Sequence, residues 1–122
     1  MYAGPMDAVR EATWIRLDRL CLADLPHYGE VPGSHVFREA TSGEIICIGS
    51  TAKLGRRLFG NYIGGIGGAT TKRIHVALFE PEVLAGVEVA WVVSEHWKAL
   101  EIELKRQFAK LGVRPLPRWV RR

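Results

Sequence analysis

Cysteine is scarce in this 122-residue chain: Cys21 and Cys47 occur without a pattern, which excludes a disulfide scaffold and a cysteine-based zinc site. Each sits in an apolar run and reads as a buried free thiol. Long apolar stretches are also absent. Nowhere do about 18 hydrophobic residues follow one another, and the N-terminus lacks the charged-then-apolar pattern of a secretory leader. A soluble, cytoplasmic protein with no membrane association is the expectation. Low-complexity composition is missing as well: 48% of residues are hydrophobic and 25% charged, so a packed core is expected. The length fits one compact domain and excludes a multidomain enzyme.

Acidic residues are absent from two whole segments, and the formal net charge of +4 conceals this. Residues 51–73 hold five basic side chains and residues 105–122 hold seven, with no Asp or Glu in either. Residues 1–50 carry four basic and seven acidic side chains, and residues 74–104 carry one and six. Basic charge gathered in this way favours a positive surface for a polyanion such as nucleic acid.

The hydrophobic patterning predicts a helix over Asp7–Leu22, ended by Pro26 and Pro32. Gly33–Glu39 and Glu44–Gly49, rich in Val, Phe and Ile, read as a β-hairpin. Ser50 or Thr51 caps a helix through Leu58, and glycines 60, 64, 65, 67 and 68 read as a loose connector. That cluster lacks the Gly-Lys-Ser/Thr ending of a phosphate-binding P-loop and follows a helix, not a strand. Thr71–Glu80 fits strand and helix periodicity alike, with a lean to helix. Val87–Val93 reads as a strand, and Ser94 caps a final helix to Leu111, ended by Gly112. The expected class is α+β, with a small three-stranded, mainly antiparallel sheet flanked by helices. Residues 1–24 read as an N-terminal helical extension and residues 25–122 as the domain proper.

One acid sits on the wrong side of its helix. At about 100° per residue, Trp97, Leu104, Phe108 and Leu111 share a stripe, and Glu101 falls inside it. A carboxylate there costs several kcal/mol to bury unless it is paired, hydrogen-bonded or bound to a cation. Glu101 therefore either reaches water or pairs with Arg57 at the stripe's margin, or it serves as a metal ligand or acid/base. Arg57 lies near the apolar side of its own helix, so the two can converge, while Arg56 points outward.

In this order, these residues resemble the GIY-YIG nuclease superfamily. Gly33-Ser34-His35 stands at the place of the first signature and Cys47-Ile48-Gly49 at the second, with 11 residues between His35 and Cys47. Ser50–Leu58 is similar to the family's arginine helix, with Arg57 eight residues after Gly49, and Leu100-Glu101 to Leu104 is similar to its glutamate signature. Leu25-Pro26 also has the family's look, and the likeness spans residues 25–119. Tyr62-Ile63-Gly64 lies beyond the arginine helix, in the glycine segment, and is set aside as a decoy. His35 and Cys47 replace both signature tyrosines, and no asparagine follows the final helix.

The resemblance implies a metal-dependent hydrolase that cuts a nucleic-acid phosphodiester bond, DNA being the expected substrate. Glu101 would hold a divalent cation, Mg²⁺ or Mn²⁺, and Arg57 would stabilise phosphate charge. His35 would take the proton-accepting role of the missing tyrosine, which a neutral imidazole can do at pH 7. Lys53, Arg56, Tyr62, Lys72 and Arg73 are the expected nucleic-acid contacts. The alternative is a catalytically impaired nucleic-acid-binding module that keeps the fold, and a homodimer is one expected source of target choice. His27, His75 and His96 lack metal-ligand spacing and read as ordinary surface or packed histidines.

Overall fold

A computed structural model of the chain describes residues 12–78 and 86–110, with backbone alone for Thr70 and residues 108–110. The class is α+β, but the antiparallel sheet has four strands where three were expected. In chain order these are β1 (Ile15–Arg16), β2 (Gly33–Glu39), β3 (Ile45–Thr51) and β4 (Val87–Val93), arranged β1-β4-β2-β3. The added strand comes from the segment expected to be helical. Among residues 12–24, Ile15 and Arg16 pair with Val89 and Glu88, and short 3-10 turns at Leu17–Arg19 and Leu22–Asp24 follow. Mixed apolar spacing there reflects Leu17, Leu20 and Leu25 dropping into the core from turns, not from one helical face. Cys21 lies between these anchors and is exposed, correcting the expected burial, whereas Cys47 is buried.

The hairpin β2–β3 pairs His35 with Gly49, Val36 with Ile48 and Phe37 with Cys47. After Phe37 the register slips, and Arg38 pairs with Ile45. Ile46 is the unpaired extra residue, so it and Cys47 both enter one core. Side chains otherwise alternate, which divides the sheet into two apolar faces. Phe37, Cys47 and Val89 pack against Leu58 and Tyr62, and against Ile74 and Leu78 of α1 (Ala69–Leu78). Val36 and Ile48 pack on the opposite face against Leu104 of α2 (Trp97–Lys110). Leu104 is fully buried, worth about 1.5–3 kcal/mol by transfer alone.

The arginine helix also departs from its expected form. β3 continues through Thr51, whose hydroxyl accepts a hydrogen bond from the Lys53 N–H at 3.1 Å, and a helical turn begins at Leu54. From Arg56 to Ile63 the chain is a π-helix, passing the expected end at Leu58. The Gly64 N–H donates to the Phe59 carbonyl at 2.9 Å, five residues back. Gly60 is thus helical rather than part of a loop, and Tyr62 belongs to the element that carries Arg57. Residues 64–68, with the other four glycines, form the expected connector, and α1 then settles the ambiguous segment as helix through Leu78. No helix among the described residues is long and apolar enough to cross a membrane.

Candidate nucleic-acid interface

Gly49 and Ser50, consecutive on β3, organise the candidate site from opposite faces of the sheet. By alternation Gly49 shares the face of Cys47, beneath the π-helix, and Ser50 shares the face of Ile48, beneath α2. A Cβ at Gly49 would lie 2.6 Å from both Cε1 and Nε2 of His35 and 3.3 Å from the Tyr62 hydroxyl. Only glycine lets these two rings close over the strand. They meet edge-on with centroids 5.2 Å apart, and Phe37 completes the aromatic group at 5.4 Å from His35 and 5.6 Å from Tyr62. The π winding sets Arg57 five residues before Tyr62, with its guanidinium carbon 5.9 Å from the phenol ring centroid.

On the other face, the Ser50 hydroxyl donates to Glu101 Oε1 at 2.6 Å, and Lys105 Nζ donates to Glu101 Oε2 at 2.8 Å. Both side chains of the Glu101–Lys105 pair are about a quarter exposed, at 26% and 27%. Glu101 therefore sits on the stripe as expected, but its partners are Ser50 and Lys105, not Arg57. The structure brings His35, Arg57 and Tyr62 together on one side of β3 and sets Glu101 on the other.

Their charges nevertheless act on one another. Burial pushes the Cys47 thiol up to about 12; the charges of Lys105, Arg73 and Arg57 oppose that rise and Glu101 adds to it. The Cys47 thiol thus feels cationic charge from the π-helix, α1 and α2. Tyr62 is raised above the usual phenol range, first by burial, with Cys47 and Glu101 adding and Arg57 opposing.

His35 is fully buried, and neither ring nitrogen has a hydrogen-bond partner among the described residues. Burial, then the charges of Arg57 and Lys105, lower its pKa to about 3. The imidazole is neutral at pH 7, as a proton acceptor must be, yet as packed it is closed off from the surface. Tyr62 is likewise only 7% exposed and lies inside the core group, so it is not placed as a surface phosphate contact.

The remaining basic candidates lie at the surface. Arg56 is exposed, and exposed Lys53 makes an ion pair with Glu30 at 3.2 Å. Lys72 and Arg73 are exposed on α1. Arg57 is half-buried, and its Nε is a buried donor without a partner among the described residues. His75 Nδ1–H donates to the Tyr62 carbonyl at 2.8 Å and joins α1 to the π-helix, a packing role like the one expected for it.

Sequence reasoning missed Lys105 and Ser50. Lys105 was detectable as the residue four positions after Glu101 on one helix face, the spacing at which Glu and Lys meet.

The residues present do not fit a resident divalent ion as arranged. Both carboxylate oxygens of Glu101 are already engaged, one by a hydroxyl and one by an ammonium group. Among the described residues no group of three or more His, Cys, Asp or Glu side chains gathers to hold one. No family model, curated protein or solved structure matches the chain.

Proposed function

We propose that this chain binds the phosphate backbone of nucleic acid, DNA first, as a GIY-YIG-like module through the cations around the Gly49–Ser50 end of β3. The observation that carries this reading is the set of basic side chains on the π-helix and α1, Arg56, Lys72 and Arg73, that stand exposed in a segment without acidic residues. An excess of positive charge with low-dielectric walls attracts a polyanion, and guanidinium groups suit the fork geometry of phosphate oxygens. Arg57 supports it further: a buried Nε–H without a protein acceptor is costly, and a phosphate oxygen would satisfy it. Arg56, Lys53 and Lys72 extend the basic surface along the same acid-free segment, 51–73.

A second reading, metal-dependent phosphodiester hydrolysis, is favoured by one observation: Glu101 and Arg57 flank the same strand end in the register that the resemblance implies. Against it stand the closed His35 and the Lys105 ammonium on Glu101. The test is direct. Labelled duplex, single-stranded and branched DNA are titrated with wild type in EDTA, then incubated in Mg²⁺ or Mn²⁺ alongside Glu101→Ala. Binding in EDTA without cleavage in either metal supports the module. Cleavage that Glu101→Ala abolishes establishes the hydrolase instead, and absence of binding at low salt removes both.

A further inference from the structure

Tyr28 is 69% exposed, and among the described residues no other tyrosine, phenylalanine or tryptophan is exposed, while Leu25 and Gly29 on either side of it are buried. Its backbone is left-handed, with φ 53° and ψ 33°, and His27 before it is left-handed too, at φ 50° and ψ 38°. A bulky residue resists that region, so two in succession persist only where the surroundings enforce them. Here the enforcement is visible. Leu25 is anchored in the core, the Tyr28 N–H donates to the Leu25 carbonyl at 3.2 Å, and Gly29, also left-handed, closes onto Gly55. A Cβ at Gly55 would lie 3.0 Å from the Gly29 Cα and 3.1 Å from the Tyr28 carbonyl oxygen. The Leu54 N–H donates to the Val31 carbonyl at 2.9 Å, and Lys53 pairs with Glu30 at 3.2 Å, so the loop and the start of the π-helix lie side by side. A strained backbone thus holds an aromatic ring outside the core, next to a junction flanked in sequence by the exposed cations Lys53 and Arg56.

We propose that Tyr28 is a stacking platform for an unpaired base, so that the nucleic acid this chain prefers carries single-stranded nucleotides beside a duplex. This rests on the phosphate-binding reading above. An exposed aromatic face with cations at its rim is the combination that holds single strands: the cations follow the phosphates, and the ring offers a flat apolar surface to any base. Bases inside a blunt duplex are stacked on one another and out of reach, whereas an overhang, gap or branch frees one. Stacking tolerates every base, so Tyr28 selects the structure of the nucleic acid and not its sequence. The left-handed pair and the Gly29–Gly55 contact fix the loop in advance, which leaves little to be lost in ordering it on binding.

Three labelled DNAs, followed by fluorescence anisotropy in EDTA, test this: a blunt duplex, the same duplex with a short single-stranded overhang, and one whose overhang consists of abasic residues. Wild type should bind the normal overhang about 5- to 150-fold more tightly than the abasic one, which keeps every phosphate; that is the range of one base stacked on an aromatic ring. Tyr28→Ala should bring the two affinities together. Tyr28→Phe should keep them apart, since the ring and not the hydroxyl does the stacking. Circular dichroism confirms that each variant is folded, and the wild-type comparison of the two overhangs decides the matter without any variant. Equal wild-type affinity for normal and abasic overhangs overturns the proposal. A preference that survives Tyr28→Ala overturns it too, because the base is then recognised elsewhere, as does a preference lost in Tyr28→Phe. The blunt duplex separates the two levels of inference: if wild type fails to bind it at low salt, the phosphate-binding reading is refuted, whereas binding to it with no response to overhang bases refutes the role of Tyr28 alone.

Discussion

Lowering the pH should destabilise this protein through His35 in particular. Its pKa is about 3 in the folded chain against an ordinary 6.5, so the unfolded state binds one more proton than the native state between these values. Stability is therefore fully present above pH 6.5 and falls as pH drops toward 3, by about 1.4 kcal/mol per pH unit. Between pH 6.5 and 4.5 that amounts to about 2 kcal/mol, a large share of the roughly 5–15 kcal/mol of a typical domain. The imidazole is fully buried, so solvent screening does not reduce the figure appreciably. Urea unfolding followed by tryptophan fluorescence, at half-unit steps from pH 7.5 to 4.5, measures the total slope for wild type and for His35→Phe. Other titrating groups contribute alike to both, so the difference isolates His35. The expected result is a shallower line for His35→Phe, with the gap widening below pH 6.5. Parallel lines would mean that His35 is solvated or partnered, and the closed-site description would fail.

Three further outcomes follow from the packing and the charges. With Cys21 exposed and Cys47 buried and raised to about 12, one thiol should react promptly with a disulfide reagent at pH 8 and the other only on unfolding; prompt reaction of both contradicts the burial of Cys47. Gly49→Ala forces a Cβ to within 2.6 Å of the His35 ring and should cost about 1–3 kcal/mol in urea unfolding, so an unchanged midpoint would count against the His35–Tyr62 closure. Arg57→Ala should weaken binding to duplexes of unrelated sequence to a similar degree and reduce the magnitude of the salt slope by about 1; an effect confined to one sequence would place Arg57 against a base, not a phosphate.

Much of the frame was legible in the chain because local patterning and tertiary packing agree there. The β2–β3 hairpin, β4 and α2 each bury one apolar set at the spacing their type demands, so periodicity found them. Residues 12–24 were misread since Leu17, Leu20 and Leu25 reach the core from turns, and their spacing imitates a helix. The π-helix was hidden because its i to i+5 bonding differs from an α-helix by one residue per turn, and Gly60 and Gly64 mask continuity. That single residue decides the surroundings of Tyr62, which moves from a supposed loop to the ring against His35. At the site, the anomalous position of Glu101 on an apolar stripe was visible from spacing alone. Its pairing with Lys105 follows the i, i+4 spacing on the same helix, whereas Arg57 lies across the sheet. The separation of His35 from Glu101 by the strand itself was not readable, since it depends on which face of β3 each helix covers.

The central claim is that several cations of this chain grip nucleic-acid phosphates without a resident metal. Fluorescence anisotropy of a labelled DNA duplex with wild-type protein in EDTA, between 50 and 200 mM salt, tests it most directly. Three to six phosphate contacts predict a slope of log affinity against log salt of about −3 to −5, a loss of roughly 60- to 1000-fold over that range. A slope near zero, or binding that begins only when Mg²⁺ replaces EDTA, would contradict it.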